Sequence, residues 1–574
     1  MNAKQMRIVI GITLAVVAGW LTAPYWGGAD APDVAVSQTP LQFDAGQALE
    51  TAREFVTGNP RRVLGSLESR QATGYLQDRL QRLGYQVSFS HFDAVLAGRR
   101  QLGRNVLAYR QGSLPGILAV VAHYDTARTT VQGAMDNGAG IGVLLQLARV
   151  FAGSPLRHSL LVIASDGEEW GMLGAADVAR NHAERQRIRA ILSLDWVAAG
   201  DLAALTLGTQ GQRSGTSPSW LRRIALQAAQ VEGLPVDMPS GFREAVERAI
   251  PFSLTDQGPF LHAGIPAINL GSISADEARM WRIYHSEEDT IDNLKPASIA
   301  MYGAVAERIL RSLDGLPAAD FGMDEAFRWG GDAYVGSWAV KLLQYLAFLP
   351  FLVMLGIGWM RLWPGPSPEK ALRDISIFLT CLVPFALFYS LVLFCRLMRL
   401  LPQNSYYPGP LRDPMLAQSP WGLLGGIAGA SLAAGLGLYF LVRYLTRGQM
   451  PSYRESKLMQ MTLLFPVVLL SLLHNPYGAV TFLAFPALIW GAVGRGKKIG
   501  TRIAGALMIP AAGFALFLAA IAAARSLQAG WDILWYAVLG LSTGMLHWKG
   551  YFLAASAAVL GMRFLALQFS RRPE

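Results

Sequence analysis

The chain has 574 residues, which is too long for a single domain of roughly 100 to 200 residues. Hydrophobic residues make up 52% of the sequence and charged residues only 16%, whereas a soluble domain carries about 25% charged residues. This composition excludes a wholly soluble protein and predicts that part of the chain lies in a lipid bilayer.

The net charge of +10 is unevenly distributed along the sequence. Residues 1–337 hold 34 acidic and 30 basic residues, a net charge of −4, whereas residues 338–574 hold 6 acidic and 20 basic residues, a net charge of +14. The basic excess therefore belongs to the apolar half, where Lys and Arg cluster between apolar runs as they do in cytoplasmic loops of membrane proteins. The acidic half has no basic face interleaved with aromatic residues, so we expect no nucleic acid partner.

The N-terminal segment places Lys4 and Arg7 before an apolar run over residues 8–23. This pattern is typical of a cleaved signal peptide or of an uncleaved signal anchor. The triplet Ala29-Asp30-Ala31 leaves cleavage as an alternative. We favour an anchor over residues 1–29, because a protein with several spans gains nothing from losing its first one. In either case the residues that follow are predicted to lie outside the cytoplasm.

Residues 30–335 are predicted to form one domain, and residues 41–317 within it alternate between helical and strand patterns. This alternation is typical of an α/β fold with a mostly parallel sheet and helices on both faces. An amphipathic helix is predicted over residues 66–83, ending at Gly84. Further helices are predicted over 138–151 and 171–181. Short β-branched or leucine-rich runs predict buried strands over residues 116–122, 159–164, 191–194 and 266–270.

Residues 336–574 are predicted to form an all-α membrane domain with about eight crossings, because each apolar run approaches the roughly 20 residues that a crossing needs. The runs cover residues 341–360, 375–395, 421–442, 503–523, 531–547 and 550–568, with a further pair inside 459–493. The sequence His474-Asn475-Pro476 interrupts that pair, which leaves a first segment short enough to be re-entrant. With the N-terminal anchor, the total is nine crossings.

Alternate loops of the membrane domain differ in their content of Lys and Arg. One set holds 11 basic residues and the opposite set only 4. The basic set consists of Arg361, Lys370, Arg373, Arg443, Arg447, Arg454, Lys457, Arg495, Lys497, Lys498 and Arg502. Because cytoplasmic loops carry the positive excess, residues 30–335 are predicted to face out of the cytoplasm. Arg571 and Arg572 conflict with nine crossings, since an odd total would leave them outside.

Five segments of residues 30–335 carry a carboxylate or a histidine at or just after a predicted strand or turn. They are Ala122-His123-Tyr124-Asp125-Thr126, Gly133-Ala134-Met135-Asp136-Asn137-Gly138, Ser165-Asp166-Gly167-Glu168-Glu169, Ser193-Leu194-Asp195-Trp196 and Tyr284-His285-Ser286. Taken singly, each has a structural explanation such as a helix cap or a turn. Together, two histidines and three carboxylates at the binding edge of an open α/β sheet are the ligands of two Zn²⁺ ions that share one carboxylate.

The spacing within two of these segments indicates separate roles. Glu168 and Glu169 are adjacent, and neighbours on an extended loop point to opposite sides, so one is expected to bind metal and the other to act as a base. Asp125 follows His123 by two residues and is expected to accept the other ring N–H of that histidine. We therefore predict Asp125 as a residue that supports catalysis through His123.

These motifs resemble the co-catalytic di-zinc exopeptidases, which include bacterial leucyl aminopeptidase, glutamate carboxypeptidase II and glutaminyl cyclases. The resemblance covers roughly residues 59–314, including Asn59-Pro60-Arg61 and Asp256-Gln257-Gly258-Pro259-Phe260. It implies two zinc ions per chain and a role for each matching position. His123 and Asp195 would bind one zinc, Glu169 and His285 the other, with Asp136 bridging and Glu168 as general base.

The order of a first span, a peptidase domain and several further spans resembles the endoplasmic reticulum metallopeptidase branch of that family. The chain looks like a bacterial relative of this branch. The resemblance implies a membrane-anchored zinc aminopeptidase in the bacterial inner membrane, with residues 30–335 in the periplasm. Peptide hydrolysis would use a metal-bridged water whose proton Glu168 accepts. The expected partners are a peptide substrate and the lipid bilayer, and Tyr284, Asp256 and Arg243 are candidate substrate contacts.

Two alternatives remain open. A glutaminyl-cyclase-like acyltransferase on the same fold is one, because Ser165-Asp166-Gly167-Glu168-Glu169 with Trp196 is also similar to that branch. A receptor or transporter with a relic peptidase domain is the other. The five proposed metal ligands and the proposed base are all present in the sequence, which favours an enzyme over a receptor or transporter with a relic peptidase domain.

Overall fold

The computed structural model describes residues 3–28, 35–96, 99–197, 200–317, 322–401, 420–446, 451–526 and 530–570. The triplet Ala29-Asp30-Ala31, together with Arg447, Arg571 and Arg572, lies outside the described residues. Within them, residues 35–335 form the α/β domain and residues 337–570 form a helical membrane domain.

The α/β domain is built on an eight-stranded sheet with the order β1-β2-β4-β3-β5-β8-β6-β7. The described strands are β1 Gln86–Leu96, β2 Arg99–Arg110, β3 Leu114–His123, β4 His158–Ser165, β5 Ile188–Leu194, β6 Leu202–Gly208, β7 Val236–Asp237, β8 Ala267–Ser274, and the separate pair β9 Phe327–Gly330 and β10 Ala333–Val335. The four central strands, β4, β3, β5 and β8, run parallel. They are the four strands predicted from sequence.

The sheet as a whole is mixed, because β2 pairs antiparallel with β4 and β6 pairs antiparallel with β8. The central strands are buried on both faces and therefore give continuous apolar runs in the sequence. The outer strands are only partly buried, so polar and apolar residues are mixed along them and they form no continuous apolar run. This difference explains why the sequence predicted the parallel centre and not the antiparallel edges.

Helices cover both faces of the sheet, as predicted. The described helices of the α/β domain are α2 Ala45–Gly58, α3 Leu67–Arg82, α4 Ala139–Ala152, α5 Leu173–Asn181, α6 Ser219–Val231, α7 Gly241–Ala249, α8 Gln257–His262, α9 Glu277–Ile283 and α10 Pro296–Gly315. Leu118, Val120 and Ala122 of β3 pack in one core with α2, α4, α6 and α10. The alternate residues Ile117, Ala119 and Val121 pack in a second core with α5 and α8.

The helix predicted over residues 66–83 shows how the local sequence sets these bounds. The backbone N–H of Ser69 donates to the Ser66 hydroxyl at 3.0 Å and caps the N-terminus of α3. At the other end, Gly84 adopts a positive φ of 83°, a conformation that is favourable for glycine and that stops the helix.

The membrane domain follows one helix at the start of the chain, α1 Ala3–Trp26. Its described helices are α11 Ser337–Leu346, α12 Leu349–Arg361, α13 Pro368–Leu397, α14 Trp421–Leu445, α15 Tyr453–His474, α16 Pro476–Ala479, α17 Phe485–Ala492, α18 Ile499–Ala511, α19 Phe514–Ser526, α20 Ile533–Thr543 and α21 Trp548–Gln568. Among the described residues, seven helical segments are long and apolar enough to cross a membrane, when α11 with α12 and α18 with α19 are each counted as one segment. A shorter apolar helix covers residues 476–492.

The α/β domain joins its flanking helices at a single place. The N–H of Gly336, just before α11, donates to the carbonyl of Gly27, just after α1, at 2.8 Å. Gly28 and Val335 form a β-bridge beside this bond. The two connections between the α/β domain and its flanking helices therefore leave the domain side by side.

The predicted crossing over residues 531–547 differs from the structure. Helix α20 has only 11 residues, fewer than the roughly 20 that a crossing needs. Gly544, with a φ of 77°, ends the helix early, and the N–H of Leu546 turns back to the carbonyl of Gly540 at 2.9 Å. The helix packs against the end of α13 and the start of α14, which places it at one end of the membrane domain.

The two ends of α21 lie at opposite ends of the membrane domain. At its start, the rings of His547 and His474 are 5.4 Å apart, and the preceding Met545 is buried in the second core of the α/β domain. At its end, the carbonyl of Ser570 accepts a hydrogen bond from Arg495 at 3.2 Å. Arg495 belongs to one of the basic loops, so α21 runs from the α/β domain to the end of the membrane domain that carries this basic loop, which the charge pattern predicts to be cytoplasmic.

This arrangement predicts eight crossings in total, made by the seven long helices and the shorter helix over residues 476–492. An even total places both termini on the same side of the membrane, the side predicted to be the cytoplasm, and it removes the conflict that Arg571 and Arg572 raise for nine crossings. A reporter enzyme that works only outside the cytoplasm is therefore expected to be inactive after Glu574 and active after Ser337. Activity of the C-terminal fusion would mean that α20 crosses the bilayer.

Candidate active site

The side chains predicted to bind metal come from loops that follow the central parallel strands. His123 is the last residue of β3, Glu169 lies four residues after the end of β4, and Asp195 directly follows β5. Asp136 precedes α4 and His285 follows α9. Parallel strands end at the same edge of a sheet, so these side chains meet there although up to 162 positions of sequence separate them.

The first group consists of His123, Asp136 and Asp195, all buried. The Nε2 atom of His123 lies 3.0 Å from Oδ1 of Asp136 and 3.4 Å from Oδ1 of Asp195. One ligand atom from each residue falls within 4.8 Å of the others. This spacing is compatible with one ion held between them.

The second group consists of Asp136, Glu169 and His285, which are also buried. The Nε2 atom of His285 lies 3.1 Å from Oδ2 of Asp136 and 2.9 Å from Oε2 of Glu169. Asp136 therefore faces one histidine with each of its two carboxylate oxygens. The structure brings together all five residues predicted as metal ligands, in two groups that share one carboxylate.

Asp125 supports both the histidine and the loop of adjacent glutamates. Its Oδ1 atom lies 3.4 Å from Nδ1 of His123, on the ring edge opposite the metal-facing nitrogen. The same carboxylate accepts the backbone N–H groups of Glu168 at 3.1 Å and of Glu169 at 3.3 Å. The backbone carbonyl of Asp125 lies closer to Nδ1 of His123 than its carboxylate does, at 3.2 Å. Asp125 is therefore placed to orient the imidazole and to position the two glutamates.

Two further residues hold the site together and were not predicted. The carboxylate of Asp289 accepts the N–H groups of Met135 at 2.7 Å and of Asp136 at 3.2 Å. Arg62 is fully buried and donates to the backbone carbonyls of Tyr124 and Asn59 at 2.7 and 2.8 Å. In the sequence, Asp289 lies in a polar stretch typical of a surface turn and Arg62 in a Pro-containing turn, so neither pattern indicated a buried role.

The electrostatics of the site reflect carboxylates buried close together. Burial raises the pKa of Glu168 well above its usual range, with His123 opposing the shift. Burial likewise raises the pKa of Glu169 to about 7 and that of Asp256, whose carboxylate accepts a hydrogen bond from Ser165, to about 7. Bound cations would relieve this accumulation of charge, and imidazole nitrogens with carboxylate oxygens are the donors that zinc prefers. The residues present therefore fit a zinc site.

An aromatic cluster borders the second group. The ring of Tyr284 stacks on His285 at a centroid distance of 3.8 Å, and Trp196 lies 4.9 Å from both Tyr284 and Trp281. Of the three candidate substrate contacts, Tyr284 and Asp256 lie beside the metal-binding groups. Arg243 instead pairs with Asp237 and Glu247 on the surface near α7.

A mixed α/β domain with buried histidines and carboxylates at its central strand ends is the architecture of a metal-dependent hydrolase. Residues 105–310 match the profile of Peptidase family M28. The match lies within the α/β domain, which is therefore similar to this family. This similarity supports a zinc-dependent hydrolase, and the matched range contains every residue of the two metal-binding groups.

Among known proteins, the chain is 24% identical over 260 residues to the alkaline phosphatase isozyme conversion protein of Escherichia coli (strain K12), covering 40% of this chain and 72% of that protein. It is 27% identical over 198 residues to aminopeptidase YwaD of Bacillus subtilis (strain 168), covering 33% and 39% of the two chains. A crystal structure of Porphyromonas gingivalis glutaminyl cyclase superposes with a TM-score of 0.41 and 22% identity, over 47% of this chain and 99% of that one.

We predict that Asp289→Ala weakens zinc binding roughly 10- to 100-fold, the usual effect of removing a group that orients a metal ligand. The reason is that the N–H groups of Met135 and Asp136 lose their acceptor, which frees the loop carrying the shared carboxylate. Zinc affinity is measured by competition with a chelator. Asp292→Ala is the matched control, because that carboxylate is 85% exposed. Equal zinc affinity in the two variants would contradict the role of Asp289.

Proposed function

We propose that the chain is a membrane-anchored aminopeptidase that hydrolyses peptide bonds with two zinc ions per chain. His123 and Asp195 would hold one ion, Glu169 and His285 the other, and Asp136 both. The observation that carries this proposal is the position of Asp136, whose two carboxylate oxygens lie 3.0 and 3.1 Å from two different histidines. The proposed location is a bacterial inner membrane, with the α/β domain in the periplasm.

The two zinc ions, when bound, supply a water of lowered pKa and polarise the scissile carbonyl. The chain supplies the proton transfer. Glu169 turns its carboxylate to His285, and its neighbour Glu168, whose backbone is fixed by Asp125, would accept the proton of the water. The same carboxylate would then pass that proton to the leaving amine.

The charge of the site supports an amino-terminal substrate over a carboxyl-terminal one. Two divalent ions would favour the ionised form of the neighbouring carboxyl groups. The ionised carboxylates in and beside the site would then outnumber the positive charges of the two ions and Arg62. These carboxylates are Asp125, Asp136, Glu168, Glu169, Asp195, Asp256 and Asp289. Such an excess attracts the ammonium group of a peptide N-terminus and repels a C-terminal carboxylate.

The activity is tested on the purified full-length protein with zinc added. We expect release of the first residue from a small peptide with a free amino terminus and no release when that terminus is acetylated. Ammonia released from an N-terminal glutamine, without peptide cleavage, would instead identify a cyclase. A zinc-loaded protein with neither activity would contradict both enzymatic functions.

We predict that Glu168→Gln lowers kcat about 10²- to 10⁴-fold, the range that general-base catalysis contributes. Zinc content should stay near that of the unchanged protein, because no metal ligand is removed. Activity and bound zinc are measured on the same preparation. Glu184→Gln, at a partly exposed carboxylate of the same domain, serves as the control. Substantial turnover by Glu168→Gln would exclude Glu168 as the base.

We predict that Asp136→Ala lowers zinc content and activity together, since this side chain faces both histidines. Asp201→Ala, which removes an exposed carboxylate paired with Lys295, should change neither. Bound zinc is measured by atomic absorption after dialysis. Two firmly bound ions in Asp136→Ala would reject the bridging assignment.

A further inference from the structure

The loop between α15 and α16 of the membrane domain forms hydrogen bonds with the C-terminal end of α7 in the α/β domain. The side-chain amide of Asn475 donates to the carbonyls of Arg248 at 3.1 Å and Ala249 at 3.0 Å. These are carbonyls of the last turn of α7, which lack partners within the helix. The Asn475 carbonyl accepts the N–H of Gly478 at 3.0 Å, and Arg248 donates to the hydroxyl of Tyr477 at 2.9 Å.

A second loop of the membrane domain enters the core beneath α8. Met545, between α20 and α21, is 7% exposed and belongs to the same buried cluster as Phe260 and Leu261 of α8. The side-chain amide of Gln212 donates to its sulfur at 3.7 Å. The two loops also lie close to each other, since the rings of His474 and His547 are 5.4 Å apart.

Hydrogen bonds connect both loops to the start of α8. On the first route, the carboxylate of Glu247 in α7 accepts a hydrogen bond from the side-chain amide of Gln210 at 2.7 Å. The backbone carbonyl of Gln210 in turn accepts one from the side-chain amide of Gln257 at 3.1 Å. On the second, the N–H of Gln212 donates to the carbonyl of Gly258 at 3.0 Å. The two routes start from different loops, pass through neighbouring residues of the segment 210–212, and both end in the first turn of α8.

The first turn of α8 directly follows Asp256, which belongs to the active site. Asp256 is 2% exposed, and its carboxylate accepts from the hydroxyl of Ser165, the last residue of β4. Glu168, the proposed base, follows Ser165 by three residues. A helix of six residues is too short to hold its own position, because helices gain stability from length and packing. The position of Asp256 beside Glu168 therefore depends on what packs around α8.

From these contacts we infer that the membrane domain holds part of the active site in position, and that Asn475 and Met545 are positioning residues. They hold the first turn of α8, and through it Asp256, against the catalytic strand ends. This inference rests on the proposed peptidase function and adds to it a dependence of turnover on the membrane domain. If the two loops served only to attach the α/β domain, their loss would leave the chemical step unchanged.

Two variants of the full-length protein test this inference. Asn475→Asp keeps the acceptor for Gly478 but removes the amide that donates to Arg248 and Ala249. Met545→Ala removes the side chain from the core, and Met545→Leu restores a side chain of similar volume. The controls are Leu473→Ala, which is 69% exposed beside Asn475, and Met562→Ala, which is 56% exposed on α21.

We expect kcat on a small peptide to fall about tenfold or more in Asn475→Asp and Met545→Ala, because a misplacement of roughly 1 Å at a site can cost about 10²-fold. KM should change less than kcat, and zinc content should not change. Met545→Leu should recover most of kcat, and both controls should match the unchanged protein. Combining Met545→Ala with Gln212→Ala should cost less than the sum of the two single effects, since the two side chains contact each other.

Hydrogen exchange over residues 256–262 provides a readout that does not depend on activity. It should become faster in Asn475→Asp and Met545→Ala and stay unchanged in the controls. Unchanged exchange there, or an unchanged kcat in both variants, would overturn the inference. If the unchanged protein binds zinc but cleaves no peptide, the proposed function fails, and the exchange result alone still decides whether the membrane domain holds α8.

Discussion

The active site depends on one carboxylate that faces two histidines from the inside of the α/β domain. Asp136 is buried, and burial of a charge is unfavourable unless neighbouring groups compensate for it. The histidines supply that compensation on one side of Asp136, where bound cations would add to it, and Asp289 fixes its backbone on the other. The parallel strands at the centre of the sheet are what bring these groups to one edge.

Sequence alone predicted this centre because two of its signals have a direct physical cause. Strands buried on both faces must be continuously apolar, which identified β3, β4, β5 and β8. Metal chemistry restricts ligands to a few residue types, which identified His123, Asp136 and the other members of the two groups. The adjacent pair Glu168-Glu169 indicated that the two glutamates point in different directions. The spacing of His123 and Asp125 indicated that Asp125 lies beside the imidazole ring.

The remaining features depend on contacts between residues far apart in sequence. Asp289 has the local sequence of a surface turn, and only the folded chain shows that its carboxylate lies under the loop of Asp136. The run over residues 531–547 has the composition of a membrane span, yet Gly544 ends α20 after 11 residues. The packing of Met545 beneath α8 joins two parts of the chain that sequence analysis treats as separate domains.

The attachment of the α/β domain to its flanking helices has a mechanical consequence. Its two connections leave side by side at Gly27 and Gly336, so by themselves they form a single pivot about which the domain could swing. The contacts of Asn475 and Met545 add supports from the membrane domain to α7 and to the core beneath α8. These supports oppose a swing about the pivot, so the distance between the two metal-binding groups and the membrane domain is set by the fold itself.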